Sequence, residues 1–203
     1  MKFICIGRNY RDHALELNNQ VPSEPVIFMK PDTALLRGNT PFYIPQFSNE
    51  VHHEVEILVR ICKVGRSIEE RFAHRYYDEI GIGIDFTARD LQDELKKKGL
   101  PWEKAKAFDS SAYVSEFFPR SKYGDLANLN FGLKINGETK QSGNTSEMIF
   151  TIDQIISYVS RFFTLKIGDI IFTGTPAGVG RVNANDVLEL FIEEESMAIC
   201  KIK

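Results

Sequence analysis

Residues 54–61 read as a β-strand with two unlike faces. One alternate set is aliphatic (Val55, Ile57, Val59, Ile61), and the other opens with Glu54 and Glu56. In a strand, positions i and i+2 share a face about 6.6–7 Å apart along the chain. Two carboxylates therefore project side by side from a strand whose opposite face is apolar. Alternation also marks residues 2–6 as a strand ended by Gly7, and residues 80–86 as a strand with Ile80, Ile82, Ile84 and Phe86 on one face. Its other face carries Gly81, Gly83 and Asp85, and the glycines read as leaving room for a ligand or another backbone. The continuous apolar run at 26–29 predicts a buried strand, and residues 169–172 read as another. Asn136-Gly137 between residues 130–135 and a return strand from Glu138 is a hairpin signal. Strands at 187–192 and 197–202 finish the chain.

Helical period and capping residues predict four helices. Asn9 reads as the N-cap of a short helix using Ala14, Leu15 and Leu17, and Ser67 with Glu70 reads as a capping box opening residues 67–78. Thr87 reads as the cap of residues 88–99, where acids come early, lysines late and Gly99 stops the helix; most of those charges read as a solvated face. Residues 151–163 form an amphipathic helix through Ile152, Ile155, Ile156 and Val159. Residues 19–25, 32–50 and 144–148 read as loops, and residues 101–109 show no clear period. There are no repeats and no internal boundary. The expectation is one domain, 1–203, mainly β with short helices (α+β).

Composition narrows the classes. The chain has 203 residues, 43% hydrophobic and 26% charged, and can bury a real core. A net charge of −3 and a pI near 5.9 speak against non-specific binding to nucleic acid or membrane. No window has the apolar length of a transmembrane helix. The first residues read as a strand and not as a signal peptide. Cys5, Cys62 and Cys200 form no C-x-x-C and read as reduced thiols, so a cytoplasmic protein is expected.

The candidate chemistry begins at Glu54 and Glu56. Like charges this close repel, so either both face water or a cation lies between them. Hard divalent cations such as Mg²⁺ or Mn²⁺ take carboxylate oxygens and keep positions open for water or substrate. Asp85 is a third carboxylate presented from a strand. His13 and Glu16, at i and i+3, share a helical face, as a surface pair or as a working dyad. Lys30 ends an apolar run and faces either water or an anion. The glycine-rich residues 174–180 lack the lysine and Ser/Thr of a phosphate-binding loop, and no helix follows them. Their backbone N–H groups could still take a small carboxylate.

Several motifs follow one another in order: Gly7-Arg8-Asn9-Tyr10, His52-His53-Glu54-x-Glu56, Asp85-Phe86-Thr87-Ala88-Arg89-Asp90, Gln92, Lys97-Lys98-Gly99-Leu100-Pro101-Trp102, Lys106, Ser146-x-Met148-Ile149-Phe150 and Thr173-Gly174-Thr175-Pro176-x-Gly178-Val179-Gly180. From residue 3 almost to the end, the chain resembles the fumarylacetoacetate hydrolase family in its short acylpyruvase and oxaloacetate decarboxylase subgroup. The resemblance implies a mixed β-sandwich roll, a homodimer, and Mg²⁺- or Mn²⁺-dependent cleavage of the C–C bond beyond C3 of small 2-oxo acids. Acylpyruvate hydrolysis and oxaloacetate decarboxylation would both run through a metal-stabilised pyruvate enolate; the alternative is isomerisation or hydration of unsaturated 2-oxo diacids at the same site. It also implies that Glu54, Glu56 and Asp85 are the metal ligands and that Lys106 stands at the metal and substrate. His13 and Glu16 would be a water-activating dyad on a lid. Arg8, Gln92 and Thr175 would hold the substrate's carboxylate and oxo oxygens, with Lys30 and Arg89 as further charges close to the site.

Overall fold

The computed structural model describes residues 1–17, 20–37 and 40–203. In chain order the elements are β1 (Phe3–Gly7), α1 (Arg11–Glu16), β2 (Val26–Lys30), β3 (Leu35–Arg37), β4 (Val51–His53), β5 (Val55–Ile61), α2 (Glu70–Ala73), β6 (Tyr77–Asp85), β7 (Thr87–Ala88), α3 (Arg89–Lys98), α4 (Glu103–Lys106), β8 (Ala112–Val114), β9 (Phe118–Pro119), β10 (Asn130–Ile135), β11 (Glu138–Asn144), α5 (Ile152–Phe162), β12 (Ile170–Phe172), β13 (Gly180–Arg181), β14 (Val187–Ile192) and β15 (Glu195–Lys201). Strands dominate and the helices are short, as the pattern predicts.

The largest sheet runs β2-β1-β12-β5-β6-β8-β3, with β9 also on β6. It is mixed: β1 runs parallel to β12 and β3 to β8, and the remaining pairs are antiparallel. A second sheet, β11-β10-β14-β15, lies against one face of it. Ile57, Val59, Ile61, Ile80, Ile82 and Ile84 of the first sheet share a buried cluster with Leu133, Ile135, Leu188, Leu190 and Ile192 of the second. The opposite face of β5 is covered too, where Leu58 packs with Phe3, Cys5 and Phe172. A central strand buried on both sides explains why β5 departs from plain alternation.

The β5–β6 register builds the site. Glu56 pairs with Gly83 and Val55 with Ile84, so Glu54 comes opposite Asp85, whose N–H donates to the Glu54 carbonyl at 2.8 Å. Opposed residues share a face, so Glu54, Glu56 and Asp85 project together. The glycine face of β6 is not open. A Cβ on Gly83 would meet the Tyr113 carbonyl at 2.4 Å and Leu58 Cδ1 at 2.8 Å, and one on Gly81 would meet the Phe117 ring at 3.2 Å. These glycines admit Leu58, Phe117 and the β8 backbone, not a ligand.

Other local expectations change with tertiary context. The helix expected over residues 67–78 shrinks to α2. Ser67 takes a positive φ of 49° and its N–H bonds to Ser160, while Tyr77 onward is drawn into β6 by pairing with Ile61. Thr87 belongs to β7 and caps nothing; Ala88 precedes α3. Asn9 is no N-cap either. Its side chain donates to the carbonyls of Phe150 and Thr173 and accepts from Phe150 N–H, tying β1 to the segments after a single 3₁₀ turn at Thr145–Glu147 and after β12. The run at 26–29 is only half-buried because β2 is an edge strand. The loop expected from residue 19 is irregular over residues 20–25, and residues 18 and 19 lie outside the described residues, as do 38 and 39 of the turn-rich stretch. Gly99 ends α3 in the left-handed region at φ 64°, and Asn136-Gly137 makes the hairpin between β10 and β11 with both φ positive. Thr151 caps α5 through a capping box with Gln154. No helix of the described residues is long and apolar enough to cross a membrane.

Candidate active site

Glu54, Glu56 and Asp85 each offer an oxygen within 4.8 Å of the others, and all three are buried. The solvated-face alternative for the two glutamates is therefore excluded. Buried carboxylates need partners, and the surrounding cations are unevenly shared. Lys106, from α4, spends its three protons on Glu54 Oε2 at 2.8 Å, Asp85 Oδ2 at 2.7 Å and Thr87 Oγ1 at 2.6 Å. Arg89, the first residue of α3, pairs with Glu54 Oε1 and donates to Gln92 Oε1 at 2.5 Å. Lys30, at the end of β2, is buried behind the cluster. Its ammonium lies 2.7 Å from Asp85 Oδ1 and donates to Ser111 Oγ at 3.0 Å, to the Ser111 carbonyl at 3.1 Å and to the Lys106 carbonyl.

Glu56 has no cation of its own within 4.0 Å among the described residues. It accepts one backbone N–H, from Gly174, at 2.6 Å. Electrostatics follow this division. Burial pushes the Glu54 carboxyl up, but Lys106 and Arg89 outweigh it and hold the group well below the usual carboxylate range. Burial, then Asp85 and Glu54, push the Glu56 carboxyl well above it, and the Gly174 N–H offsets only part. Burial disfavours the Lys106 ammonium, yet Asp85 and Glu54 win and raise it. The donor set is all hard oxygen, and one buried carboxylate is short of positive charge. Glu54, Glu56 and Asp85 thus fit a divalent cation of the Mg²⁺ or Mn²⁺ kind.

α1 lies over this cluster. His13 is buried, its Nδ1 makes no hydrogen bond among the described residues, and Glu16 Oε2 lies 3.5 Å away. Burial lowers the imidazole pKa, with Glu54 opposing and Arg89 reinforcing the shift. Burial therefore favours the neutral imidazole, the form able to accept a proton. Glu16 in turn accepts the Gly178 N–H, at 3.1 Å to Oε1 and 3.2 Å to Oε2. The glycine-rich loop after β12 thus directs two N–H groups at the protein's own glutamates, Gly174 to Glu56 and Gly178 to Glu16. Gly174 is required there: its φ is 107°, and a Cβ would lie 2.6 Å from Asn9 Cβ.

A narrow cleft of about 30 Å³ opens onto the cluster. Arg8, His13, Gln92 and Thr175 line it together with Arg89, Lys106 and the three carboxylates. Of the residues singled out in the sequence, Lys30 and Glu16 stand one layer back, behind Asp85 and His13. Arg8 has a φ of 60°, a strained backbone for a non-glycine residue.

Sequence reasoning missed the residues that hold this arrangement. Gln141 of β11 is 1% exposed. Its Oε1 accepts from Val55 N–H at 3.0 Å and meets His53 Nδ1 at 2.8 Å; its Nε2 donates to Thr175 Oγ1 at 2.8 Å and to the Pro176 carbonyl at 3.0 Å. Nothing local in the sequence marks it, because its partners lie 34 to 88 positions away. Thr87 and Ser111 were hidden the same way, the first by its resemblance to a cap. Lys96 and Trp102 also line the cleft, whereas the lysines of α3 had read as a solvated face.

Comparison with known proteins fits this geometry. The family profile described as fumarylacetoacetate (FAA) hydrolase C-terminal matches residues 2–202. A mitochondrial oxaloacetate tautomerase from Bos taurus is 50% identical over 92% of this chain and 84% of its own. A mitochondrial oxaloacetate decarboxylase from Dictyostelium discoideum is 43% identical over 93% of this chain and 87% of its own. The crystal structure of fumarylpyruvate hydrolase from Pseudomonas aeruginosa in complex with Mn²⁺ and pyruvate superposes with a TM-score of 0.94 at 32% identity, covering all of this chain and 89% of that one. The chain belongs to the fumarylacetoacetate hydrolase family, and its fold is that family's α+β arrangement of mixed sheets with short helices.

Proposed function

We propose that the protein is an enzyme acting on small 2-oxo acids, oxaloacetate and acylpyruvates foremost, at the C2–C3 unit and the bond beyond it. The observation that carries this reading is the buried His13 lining one cleft with three clustered carboxylates and the Lys106 ammonium. The names of the relatives point to the same substrates.

A divalent cation held by Glu54, Glu56 and Asp85 would supply Lewis acidity that polarises the 2-oxo group. Arg8, Gln92 and Thr175 line the cleft with donors for the carboxylate and oxo oxygens. Gln92 Oε1 is taken by Arg89, which leaves its amide N–H₂ for a ligand. Thr175 accepts from Gln141, which leaves its own hydroxyl proton to donate. Lys106 offers positive charge as electron density moves onto the 2-oxo oxygen. His13, oriented by Glu16, takes a proton. From water, this starts attack on the distal carbonyl of an acylpyruvate, and the C3–C4 bond then breaks to give the pyruvate enolate and an acid. From the enol hydroxyl of oxaloacetate, it starts conversion to the keto form as C3 gains a proton. Loss of CO₂ from oxaloacetate needs no attacking water and reaches the same enolate.

The test measures pyruvate release from acetylpyruvate and from oxaloacetate, and the enol-to-keto conversion of oxaloacetate. Each is run with Mg²⁺ and with EDTA and corrected for the spontaneous reaction. Mg²⁺-dependent turnover of at least one is the expected result. No turnover of any of them, with metal bound, would overturn the reading.

A further inference from the structure

α3 carries Arg89, Gln92 and Lys96 at i, i+3 and i+7, one stripe along the helix. All three line the cleft. Arg89 is already paired with Glu54 and Gln92, and Gln92, its Oε1 taken by Arg89, offers only a neutral amide N–H₂. Lys96 is different. It is half-buried, and among the described residues no carboxylate oxygen lies within 4.0 Å of its ammonium. Its neighbours Lys97 and Lys98 are exposed, and Lys98 pairs with Glu94 at 2.5 Å in the ordinary surface manner.

The surroundings of Lys96 are mostly positive. Its ammonium lies 5.6 Å from the centre of the Trp102 ring, and the Arg8 guanidinium lies 5.9 Å from the same ring. Arg8 also lacks a carboxylate within 4.0 Å among the described residues. Burial, Arg89 and Arg8 lower the Lys96 pKa to about 8, with Asp93 on its own helix opposing and Lys106 adding to the shift. Holding an ammonium in this position is unfavourable unless an anion joins it. The carboxylates at the floor of the cleft cannot serve, since Lys30, Lys106 and Arg89 already face them. A divalent cation there would make the cleft still more positive.

We propose that Lys96, beside the Trp102 ring and Arg8, forms the subsite for a second carboxylate, so that the site selects 2-oxo acids with a distal carboxylate over those ending in an uncharged acyl group. This rests on the proposed action on 2-oxo acids and names the substrate class within it. Lys96 and Trp102 line the same cleft as Glu54, Glu56 and Asp85, so a 2-oxo acid held at the floor has the wall formed by α3 and Trp102 beside it. A carboxylate there gains charge-assisted bonds; a methyl ketone leaves the ammonium without a partner.

Two measurements on K96Q, K96R and the neighbouring control K97Q test this, with folding checked by thermal melting. The first is the ratio of kcat/KM for oxaloacetate to that for acetylpyruvate with Mg²⁺. In K96Q it should fall about ten-fold or more, through KM for oxaloacetate, with K96R restoring most of it and K97Q matching wild type. The second is calorimetric binding of malate and lactate, unreactive 2-hydroxy acids that differ by the distal carboxylate, to the Mg²⁺-loaded protein. Wild type should prefer malate and K96Q should lose that preference. If wild type turns over neither 2-oxo acid, the catalytic reading falls and the malate-to-lactate ratio alone decides the subsite. A ratio that K96Q leaves unchanged overturns it.

Discussion

Asp85 stands directly across from Glu54, its N–H bonded to the Glu54 carbonyl at 2.8 Å where the β5–β6 ladder ends. This one cross-strand relationship converts two separate sequence features into a single cluster. Because Glu56 is two residues further along β5, the same register brings it onto the same face. Backbone pairing therefore sets where the carboxylates stand, and the cations are fitted around them from β2, α3 and α4.

The cations serve Glu54 and Asp85 and leave Glu56 with one N–H. A divalent cation should therefore bind through Glu56 as much as through its neighbours. Mg²⁺ or Mn²⁺ should raise the melting temperature of the wild type, since a ligand that binds only the folded state stabilises it. Glu56→Gln should abolish that rise. Differential scanning calorimetry with and without the metal measures both, and a metal-induced rise of equal size in the variant would remove Glu56 from the ligand set.

Lys30 is buried and its ammonium lies 2.7 Å from Asp85 Oδ1, an oxygen that no other donor meets among the described residues. Removing one member of a buried ion pair typically costs about 3–5 kcal/mol, because the other charge is left without compensation. Lys30→Met should destabilise the protein by about that amount in urea unfolding. Adding Asp85→Asn should recover part of the loss, since the uncompensated charge disappears with it. A cost below about 1 kcal/mol for Lys30→Met would mean that Lys106 alone suffices for Asp85.

Gln141 couples three parts of the site, the start of β5, His53 and Thr175. Gln141→Leu strands the Val55 N–H and frees the Thr175 hydroxyl, at about 1–3 kcal/mol for each buried group left unpaired. A double-mutant cycle with Thr175→Val should give a coupling of about 0.5–3 kcal/mol. Strict additivity in urea unfolding would show that the Gln141–Thr175 bond does not link them.

How much of this was legible follows from the range of the interactions involved. The E-x-E strand, Asp85, the Asn136-Gly137 hairpin and the amphipathic helix from residue 151 are local signals, and each is found where the pattern predicts. Ser67 and Thr87 carry equally good local signals for caps, but strand pairing at Tyr77 and the reach of Lys106 to the Thr87 hydroxyl override them. Gly81 and Gly83 read as an open face because glycine shows absence without showing what fills it, here Leu58 and Phe117. Lys30 and Lys96 cannot be told from surface lysines by sequence, since burial depends on which distant segment covers them. The roles given to individual site residues came from ordered motifs, which carry the three-dimensional constellation that no single spacing contains.

His13 and Glu16 give the last prediction, which separates the reactions proposed for one cleft. Burial lowers the His13 imidazole pKa and so favours its neutral form, and the ring faces the carboxylate cluster. Acylpyruvate hydrolysis needs a base for the attacking water, and keto–enol conversion needs one for the enol proton. General-base removal typically costs about 10²–10⁴ in rate. Decarboxylation of oxaloacetate breaks the C–C bond without that proton transfer and depends on charge stabilisation at the 2-oxo oxygen. His13→Ala should therefore suppress hydrolysis and keto–enol conversion by about 10²-fold or more, with a far smaller loss in CO₂ release. Glu16→Gln should show the same selectivity in weaker form, since it removes the charge that orients the ring. Equal losses in all three assays would mean that His13 holds the substrate and does not move its proton.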